Sequence, residues 1–338
     1  MRLVVTGGLG FIGSNFVRAV LRERPDWRVV NLDLPTYAGN PANLADLEHD
    51  PRYAFVRGDI AEPGDVARAL AGGAEAIVNF AAESHVDRSI LSAGPFVRTN
   101  VLGTVALLEA ARALGGCRMV HVSTDEVYGA LGPGDPAFVE TTPLHPTSPY
   151  AASKAAADHL ALAFARTYGQ DVVITRCSNN YGPYQFPEKL IPLMITNALE
   201  GKRLPVYGDG RQVRDWIHVE DHCAGVLAAL ERGRAGEIYN FGARAERANL
   251  DIVSRIVVLT GVAPALVEHV ADRPAHDRRY AMDARKAERE LGWRPARSFE
   301  EGLADTVRWY VEHEDWWRAV KDGSYRAFYR AWYEERVS

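Results

Sequence analysis

The sequence of 338 residues contains little cysteine, and its three cysteines lie far apart. Cys117, Cys177 and Cys223 form no Cys-x-x-Cys pair, and no histidine or cysteine stands at the spacing of a zinc site. We therefore expect neither a disulfide framework nor a metal site. Few, unpaired cysteines fit a reducing compartment, so the predicted location is the cytoplasm.

Long apolar runs, a basic leader and a block of basic residues are also missing. No segment approaches the about 18 apolar residues of a membrane span, and the first residues lack the charged and apolar pattern of a signal peptide. The net charge of −5 is spread over both halves, which argues against nucleic acid or an anionic membrane as the partner. We expect a soluble globular protein.

A glycine-rich turn stands out among the features that are present. Residues 3–6 predict a buried strand, which is followed by Gly7-Gly-Leu-Gly10-Phe-Ile-Gly13 and an amphipathic helix to about residue 23. This pattern is typical of a dinucleotide site, where a side chain would keep a pyrophosphate from the N–H groups at the helix N-terminus. Packing in a tight turn is an equally good explanation of the glycines taken alone.

Two acids strengthen the dinucleotide interpretation. Asp33 follows the second predicted strand at the offset of the carboxylate that binds the adenosine ribose. A carboxylate there repels a 2′-phosphate, so the pattern favours NAD over NADP, although Arg57 could still complicate that choice. Asp59 follows the third strand, and together with Ile60 it could hold the adenine ring. Alternatively, Asp59 caps a helix.

The order of predicted elements indicates the fold class. Strands are expected at residues 3–6, 28–32, 53–57, 76–80, 119–123 and 172–176, and helices at 97–114 and 150–168. This alternation predicts an α/β fold with a Rossmann-type doubly wound parallel sheet. We expect residues 1–176 to form the NAD-binding domain that carries the catalytic groups. Residues 177–338 would form most of a smaller, substrate-binding α/β lobe, although some segments could return to the first domain.

Five polar residues predict the reacting centre. Tyr150 and Lys154 share one face of a predicted helix, where Lys154 would lower the pKa of the phenol so that Tyr150 can take a proton from an alcohol. A tyrosine and a lysine at this spacing also occur by chance on solvent-facing helices. Thr124, at the end of a strand, favours the catalytic interpretation.

Asp125 and Glu126 suggest a second kind of chemistry. Neighbours in a strand point to opposite faces, so both carboxylates reach one substrate only if the chain bends there. Mutual repulsion and burial would then raise the pKa of one of them, leaving an acid beside a base. Such a pair suits removal of a proton beside a carbonyl and protonation of a departing hydroxyl. Alternatively, one of them caps the following turn.

Motifs along nearly the whole chain resemble those of the dTDP-glucose 4,6-dehydratases, a family of the extended short-chain dehydrogenase/reductase superfamily. They are found at residues 6–14, 36–40, 81–90, 123–129, 148–150 with Lys154, 176–190, 206–210, 214–216 and 272–278. The resemblance implies oxidation of the sugar at C4, loss of water across C5 and C6, and return of the hydride to C6. NAD would be tightly bound and regenerated in each turnover.

The resemblance also implies the roles of individual residues. Tyr150, Lys154 and Thr124 would serve the oxidation, while Glu126 takes the C5 proton and Asp125 protonates the C6 hydroxyl. The implied cofactor contacts are Gly7, Gly10, Phe11, Ile12, Gly13, Asp33, Asp59, Ile60, Phe80, Ala81, Ala82, Thr99, Tyr150, Lys154 and Asn180. The implied substrate contacts are Ser84, Thr124, Asn179, Glu188, Lys189, Leu190, Pro205, Val206, Tyr207, Arg214, Asn249, Asp272, Arg273 and His276.

Several alternatives remain open from the residues alone. Arg214 could bind the pyrophosphate through its planar fork, or it could form a surface ion pair with Asp209 or Asp215. Asn249 could instead cap the helix that follows it. The substrate could be another nucleotide sugar such as UDP-glucose, and a 4-epimerase or a non-catalytic NAD-sensing protein is a weaker possibility.

Aromatic and alanine-rich segments bear on packing and assembly. Trp309, Trp316, Trp317, Tyr325, Tyr329 and Trp332 cluster near the C-terminus, where we expect them to fill a core or cover the substrate lobe. The predicted helix around residues 151–165 is rich in alanine. It could form the four-helix contact of a homodimer, although packing on its own sheet explains the same alanines.

Overall fold

The computed structural model describes residues 1–36, 38–272 and 277–321. Its strands are β1 (Arg2–Thr6), β2 (Arg28–Asp33), β3 (Tyr53–Arg57), β4 (Ala76–Asn79), β5 (Arg118–Thr124), β6 (Val172–Cys177), β7 (Asn179–Tyr181), β8 (Leu204–Tyr207), β9 (Val213–His218), β10 (Ile238–Phe241), β11 (Glu246–Ala248) and β12 (Val267–Val270). Each of the six predicted strands is present, with bounds within one residue of the expected ones.

Helices are interspersed with these strands along the chain. They are α1 (Phe11–Glu23), α2 (Pro63–Ala69), α3 (Val86–Leu91), α4 (Gly94–Phe96), α5 (Gly103–Leu114), α6 (Pro149–Tyr168), α7 (Leu190–Leu199), α8 (Val219–Arg232), α9 (Asn249–Thr260), α10 (Arg285–Leu291), α11 (Phe299–Glu312) and α12 (Glu314–Lys321). A π-helical turn, Val97–Leu102, joins α4 to α5. None of the described helices is both long and apolar enough to cross a membrane.

Seven parallel strands form the large sheet of the described residues, in the order β10-β6-β5-β4-β1-β2-β3. β1 lies between β2 and β4, with Val4 opposite Val30 and Ile77. Alternate residues of β1 enter different cores, Leu3 and Val5 on one face and Val4 on the other. Burial of both faces explains why these strands are continuous apolar runs. The predicted doubly wound sheet is confirmed.

One strand of the large sheet comes from the second half of the chain. β10 pairs with β6 in parallel, with Tyr239 opposite Thr175, and α8 packs beside α1 on one face of the sheet. The chain therefore returns to the first sheet after it has left it.

The rest of the second half forms a smaller lobe around its own core. Strand β9 lies between β7 and β11, and β8 pairs with β12. Trp317 and Tyr310 are fully buried there, and Trp309 and Trp316 pack against the same cluster. These tryptophans fill the lobe as expected, whereas Tyr325, Tyr329 and Trp332 lie outside the described residues.

Candidate active site

A cavity of about 350 Å³ opens where the parallel strands of the large sheet end. Every predicted cofactor residue lines it, from Gly7 to Asn180. The proposed reacting residues Thr124, Asp125 and Glu126 line the same cavity as Tyr150 and Lys154. The fold thus brings together residues that are more than 100 positions apart in sequence.

The glycine-rich turn closes tightly against neighbouring backbone. Gly7 has a φ of 73°, and a Cβ there would lie 2.5 Å from the Ala81 nitrogen. A Cβ on Gly13 would lie 2.2 Å from the Gly7 oxygen, whereas one on Gly10 would meet only that oxygen, at 3.3 Å. Chain packing therefore requires Gly7 and Gly13, and only Gly10 fits the expectation that the glycines clear space for a ligand.

The N-terminus of α1 suits an anion. Gly10 is its N-cap and supplies no side-chain hydrogen bond, and the first turn contains no acidic residue. The first N–H groups of a helix have no partner within it, and the helix dipole makes this end positive. Since Phe11 and Ile12 also line the cavity, the turn fits the pyrophosphate of a dinucleotide.

Asp33 lies at the carboxyl end of β2 and holds the glycine-rich turn. The Leu9 N–H donates to Asp33 Oδ2 at 2.7 Å. Burial raises the pKa of Asp33 to about 6, against the lowering effect of this and a second backbone hydrogen bond. Asp59 accepts from the Ala61 N–H at 2.8 Å and from Arg98 at 2.8 Å. Asp59 therefore stabilises a turn just before α2, whose N-cap is Glu62.

The chain bends directly after Thr124, as it must if Asp125 and Glu126 are to reach one substrate. Strand β5 ends at Thr124, and Asp125–Tyr128 form one turn of 3₁₀-helix. The N-cap is Thr124, whose hydroxyl oxygen accepts from the Glu126 N–H at 3.3 Å. Neither acid is therefore the cap of this turn, and both line the cavity.

Burial gives Asp125 a higher pKa than an ordinary carboxylate has. Burial raises its pKa from 3.8 to about 8, the charge of Glu126 raises it further, and Arg214 opposes the shift. The Thr124 hydroxyl donates to Asp125 Oδ1 at 3.2 Å, but Asp125 Oδ2 has no hydrogen-bond partner among the described residues. A protonated Asp125 at neutral pH can therefore donate a proton into the cavity.

Other polar atoms of the cavity wall also lack protein partners. The side-chain oxygens of Ser123, Ser178 and Asn179 are buried without a hydrogen bond within the described residues. Because buried polar groups are nearly always satisfied, such a group of atoms indicates a polar ligand.

Tyr150 stands in the first turn of α6. Ser148 caps this helix by accepting from the Ala151 N–H at 3.1 Å, and Pro149 occupies its first position. Burial holds the pKa of Tyr150 well above 10, the charge of Glu126 adds to this effect, and a hydrogen bond from Thr124 opposes it. Our expectation that the phenol pKa is lowered is therefore wrong for the protein alone, since burial and the charge of Glu126 outweigh the opposing hydrogen bond.

Lys154 lies one turn along α6 and is anchored below the cavity. Its Nζ donates to the Val122 carbonyl at 2.7 Å. Burial lowers its pKa to about 8, and the charge of Asp158 opposes this shift. Asp158 is itself fully buried and accepts from Arg176 Nε at 2.8 Å. The lysine is therefore rigidly held beside a buried ion pair.

Four of the predicted substrate residues lie together on one side of the cavity. Ser84, Asn179, Glu188 and Lys189 all line it, and Lys189 Nζ donates to the Ser84 carbonyl at 3.2 Å. Burial raises the pKa of Glu188 to about 7, while nearby Lys189 and Arg88 lower it. His85 Nε2 lies 3.5 Å from Glu188 Oε2.

Thr124 also lines the cavity, and the other predicted substrate residues that the structure describes lie outside its wall. The described ones are Leu190, Pro205, Val206, Tyr207, Arg214, Asn249 and Asp272, whereas Arg273 and His276 lie outside the described residues. Asn249 is the first residue of α9 and makes no side-chain cap, and its buried Oδ1 has no hydrogen-bond partner among the described residues. The helix-cap alternative for Asn249 is therefore wrong.

Arg214 is buried rather than on the surface. Its guanidinium donates to the Asp277 carbonyl at 2.8 Å and lies 4.4 Å from the centre of the Tyr280 ring. Asp209, one of the two surface partners considered for it, binds Arg278 instead. Because Arg214 lowers the pKa of Asp125, its positive charge acts on the reacting carboxylates.

Tyr280 is a residue of this region that the sequence did not indicate. Burial raises its pKa far above 10, and the charge of Glu126 adds to the shift. Its hydroxyl donates to Asp277 Oδ2. Tyr280 belongs to no spacing pattern with Glu126, so only the folded chain reveals that the two interact.

Comparisons with known proteins agree on one kind of enzyme. A family model described as GDP-mannose 4,6 dehydratase matches residues 4–306. The chain is 51% identical to a dTDP-glucose 4,6-dehydratase of Neisseria meningitidis, over 96% of this chain and 97% of that protein. It is 54% identical to one of Xanthomonas campestris, again over 96% of this chain and 97% of the relative.

Solved structures of similar fold include both a dehydratase and a 4-epimerase. The dTDP-glucose 4,6-dehydratase of Streptomyces venezuelae, solved with NAD and TYD bound, is 55% identical with a TM-score of 0.91, and the match covers 95% of this chain and 100% of that one. A UDP-glucose 4-epimerase of Thermus thermophilus in complex with NAD is 31% identical with a TM-score of 0.85, over 93% of this chain and 100% of that one.

Proposed function

Since the chain belongs to the dTDP-glucose 4,6-dehydratases of the extended short-chain dehydrogenase/reductase superfamily, we propose that its cavity converts dTDP-glucose to dTDP-4-keto-6-deoxyglucose and water. The enzyme is an NAD-dependent carbon–oxygen lyase. The observation that carries the assignment is the turn that places Asp125 and Glu126 in one cavity with Tyr150 and Lys154. An alcohol dehydrogenation alone has no use for that pair of carboxylates.

The glycine-rich turn, Asp33 and Lys154 would hold NAD. The uncapped N-terminus of α1 receives the pyrophosphate, and Asp33 binds the adenosine ribose from the end of β2. When bound, NAD accepts the hydride from C4 and later returns it to C6. The turn and the carboxylate follow strands of the large sheet, and the lysine lies on α6, which packs against that sheet, so the protein fixes the cofactor relative to the reacting groups.

Tyr150 is the proposed base for oxidation at C4. It takes the proton of the C4 hydroxyl, and the Thr124 hydroxyl would support its ionised form when it donates to Tyr150 in place of Asp125. Lys154 contributes a positive charge from below, held by the Val122 carbonyl. Burial disfavours the phenolate in the protein alone, so Tyr150 would accept this proton only where the positive charges of Lys154 and of bound NAD favour its ionised form.

Glu126 and Asp125 divide the elimination between them. The new ketone at C4 acidifies the C5 proton, which Glu126 removes. Asp125, protonated at neutral pH because its pKa is about 8, gives its proton to the C6 hydroxyl, which leaves as water. A 4-epimerase, by contrast, would leave both carboxylates without a function.

The predicted substrate residues fall into two groups. Ser84, Asn179, Glu188 and Lys189 are proposed to bind the sugar end, because they line the same cavity as the reacting groups. The second group is proposed to bind the nucleotide diphosphate: Leu190, Pro205, Val206, Tyr207, Arg214, Asn249, Asp272, Arg273 and His276. Arg214 is the strongest of these because its buried fork can bind two phosphate oxygens. This division retains 1–176 as the NAD-binding domain and 177–338 as most of the substrate lobe, apart from β10, α8 and α10, which pack with the large sheet.

We further propose a homodimer in the cytoplasm. The π-helical turn and α6 expose the large side chains of Val97 (49%), Leu102 (55%) and Tyr168 (54%) on the surface, which is the kind of apolar surface that a second subunit covers. Four of the eight alanines of α6, Ala151, Ala155, Ala157 and Ala161, are buried against its own domain. All three cysteines are free, as in a reducing compartment.

Mass spectrometry of dTDP-[4-²H]glucose, incubated with the purified protein without added cofactor, tests the proposal. The expected result is loss of one water with the deuterium at C6, which requires bound NAD and the complete cycle. An unchanged mass after NAD has been added would refute dTDP-glucose as the substrate. The same assay with UDP-glucose then tests the other nucleotide.

A further inference from the structure

Helix α12 is connected to the glycine-rich turn by hydrogen bonds through the buried side chain of Asn43. Trp316 Nε1–H donates to Asn43 Oδ1 at 2.9 Å, and Asn43 Nδ2–H donates to the Leu9 carbonyl at 2.8 Å. Leu9 lies inside the turn, and its own N–H donates to Asp33. We call Trp316, Asn43 and Leu9 the strap. It ties the last described helix of the second lobe to the start of the chain.

The chemistry of the strap permits only one orientation of the Asn43 amide. An indole N–H can only donate and a backbone carbonyl can only accept, so the oxygen of Asn43 must face Trp316 and its nitrogen must face Leu9. Asn43 is 1% exposed, so water cannot easily replace either partner. Among the described residues the Leu9 carbonyl has one other donor, the Asn40 N–H at 3.0 Å.

Both ends of the strap are held by further contacts. The Trp316 ring packs edge-on against Tyr184 at 5.7 Å and against Trp309 at 5.2 Å between ring centres. Arg18 of α1 lies 5.0 Å from the Tyr184 ring centre and donates to the Asn43 carbonyl at 2.7 Å. Trp316 therefore has a fixed position, and through Asn43 so does the Leu9 peptide group.

We propose that Trp316 is a positioning residue for NAD, which acts through Asn43 on the turn that receives the pyrophosphate. The inference rests on the proposed function, which assigns this turn and Asp33 to the cofactor. Loss of the indole N–H leaves the buried oxygen of Asn43 unsatisfied and its amide free to rotate away from Leu9. The turn then samples conformations that do not bind NAD. The NAD affinity falls in proportion to the fraction of molecules that remain in the binding conformation.

The adjacent tryptophan supplies a matched control. Trp317 is fully buried, and its Nε1–H donates to the Tyr310 carbonyl at 2.8 Å, inside the second lobe. Trp316→Phe and Trp317→Phe therefore each remove one indole hydrogen bond from the same helix, but only the first touches the strap. The experiment is calorimetric titration of NAD into each protein after the cofactor has been stripped, with thermal unfolding measured in parallel.

We expect Trp316→Phe to raise the NAD dissociation constant about fivefold to tenfold, the effect of one buried hydrogen bond. Dehydration lost from this variant as purified should return when NAD is added in excess. Trp317→Phe should lower the melting temperature and leave the NAD dissociation constant as in the wild type. Asn43→Leu should weaken NAD binding at least as much as Trp316→Phe, and the double variant no more than Asn43→Leu alone.

Unchanged NAD affinity in Trp316→Phe would overturn the proposal, as would an equal loss in Trp317→Phe. Additive losses in the double variant would also overturn it, because they would mean that Trp316 does not act through Asn43. If Trp316→Phe does not fold, the NAD affinity of Asn43→Leu tests the proposal, and an unchanged affinity would overturn it. A wild-type protein that binds NAD but leaves dTDP-glucose unchanged would refute the proposed function, while the binding test of the strap would still stand.

Discussion

Replacing Asp125 by asparagine should stabilise the protein at neutral pH while it stops the loss of water. The folded protein raises the pKa of this carboxyl from 3.8 to about 8, mainly through burial. Between these values the folded state holds a proton that the unfolded state has released. Wild-type stability therefore falls as the pH rises through this window, and asparagine, which does not titrate, removes the loss.

The size of the effect follows from the distance between the two pKa values. Each pH unit inside the window corresponds to about 1.4 kcal/mol, so the gain from Asp125→Asn should reach about 4 kcal/mol at pH 7 relative to its value below pH 4. Above about pH 8 the carboxyl is ionised in both states, and the difference should stop growing. The hydrogen bonds of the new amide change the stability difference by the same amount at every pH, so they do not alter how this difference varies with pH.

Urea unfolding of the NAD-free proteins at a series of pH values between 5 and 8 measures the slope. Asp209→Asn is the control, because its exposed carboxyl has a pKa of about 2 and is ionised in both states throughout this range. A stability difference between wild type and Asp125→Asn that does not change with pH would refute the raised pKa of Asp125. The assignment of Asp125 as the acid of the elimination would then lose its physical basis.

Three further variants separate the steps of the reaction. Tyr150→Phe should lower both deuterium transfer and water loss by a factor of about 10² to 10⁴, since oxidation precedes elimination. Glu126→Gln should retain hydride transfer, seen as NADH absorbance, and lose water release; a variant that still releases water at the wild-type rate would contradict the assigned base. Asp158→Asn should shift the alkaline limb of the pH–rate profile to lower pH, because the buried Lys154 loses the carboxylate that favours its charge. An unshifted limb would show that Lys154 does not need that support.

The sequence was sufficient for most of the large sheet because all of its strands except the edge strand β3 are largely buried on both faces. Residues 76–79 are apolar except for Asn79, and residues 172–177 begin with the apolar run Val172-Val-Ile174. The position of β10 could not be predicted in this way. Its pairing with β6 joins Tyr239 to Thr175, and no local pattern in so short a strand indicates which of several edges it will join.

For the site, residue types were easier to predict than their electrostatics. The reacting residues follow strands or begin helices, so their convergence on one cavity follows from the parallel sheet. The pKa of Tyr150 depends on how completely the chain buries it and on the position of Glu126, neither of which is encoded by the spacing to Lys154. Tyr280 and Arg214 meet the carboxylates only after the second lobe has folded.

The two stages of the reaction place opposite demands on the protein, and the local structure separates them. Oxidation needs a base that is rigid relative to NAD, and Tyr150 and Lys154 stand on α6, a helix with a Ser148 cap and a buried face. Elimination needs an acid and a base on one substrate, which a strand cannot present, and the 3₁₀ turn after Thr124 does. Thr124 ends the strand, and its hydroxyl interacts with Asp125, the Glu126 N–H and Tyr150. A shift of Thr124 therefore disturbs both stages together. A side chain that preserves its hydroxyl, as in Thr124→Ser, should therefore be tolerated far better than Thr124→Val, which retains the shape and removes every hydrogen bond of the hydroxyl.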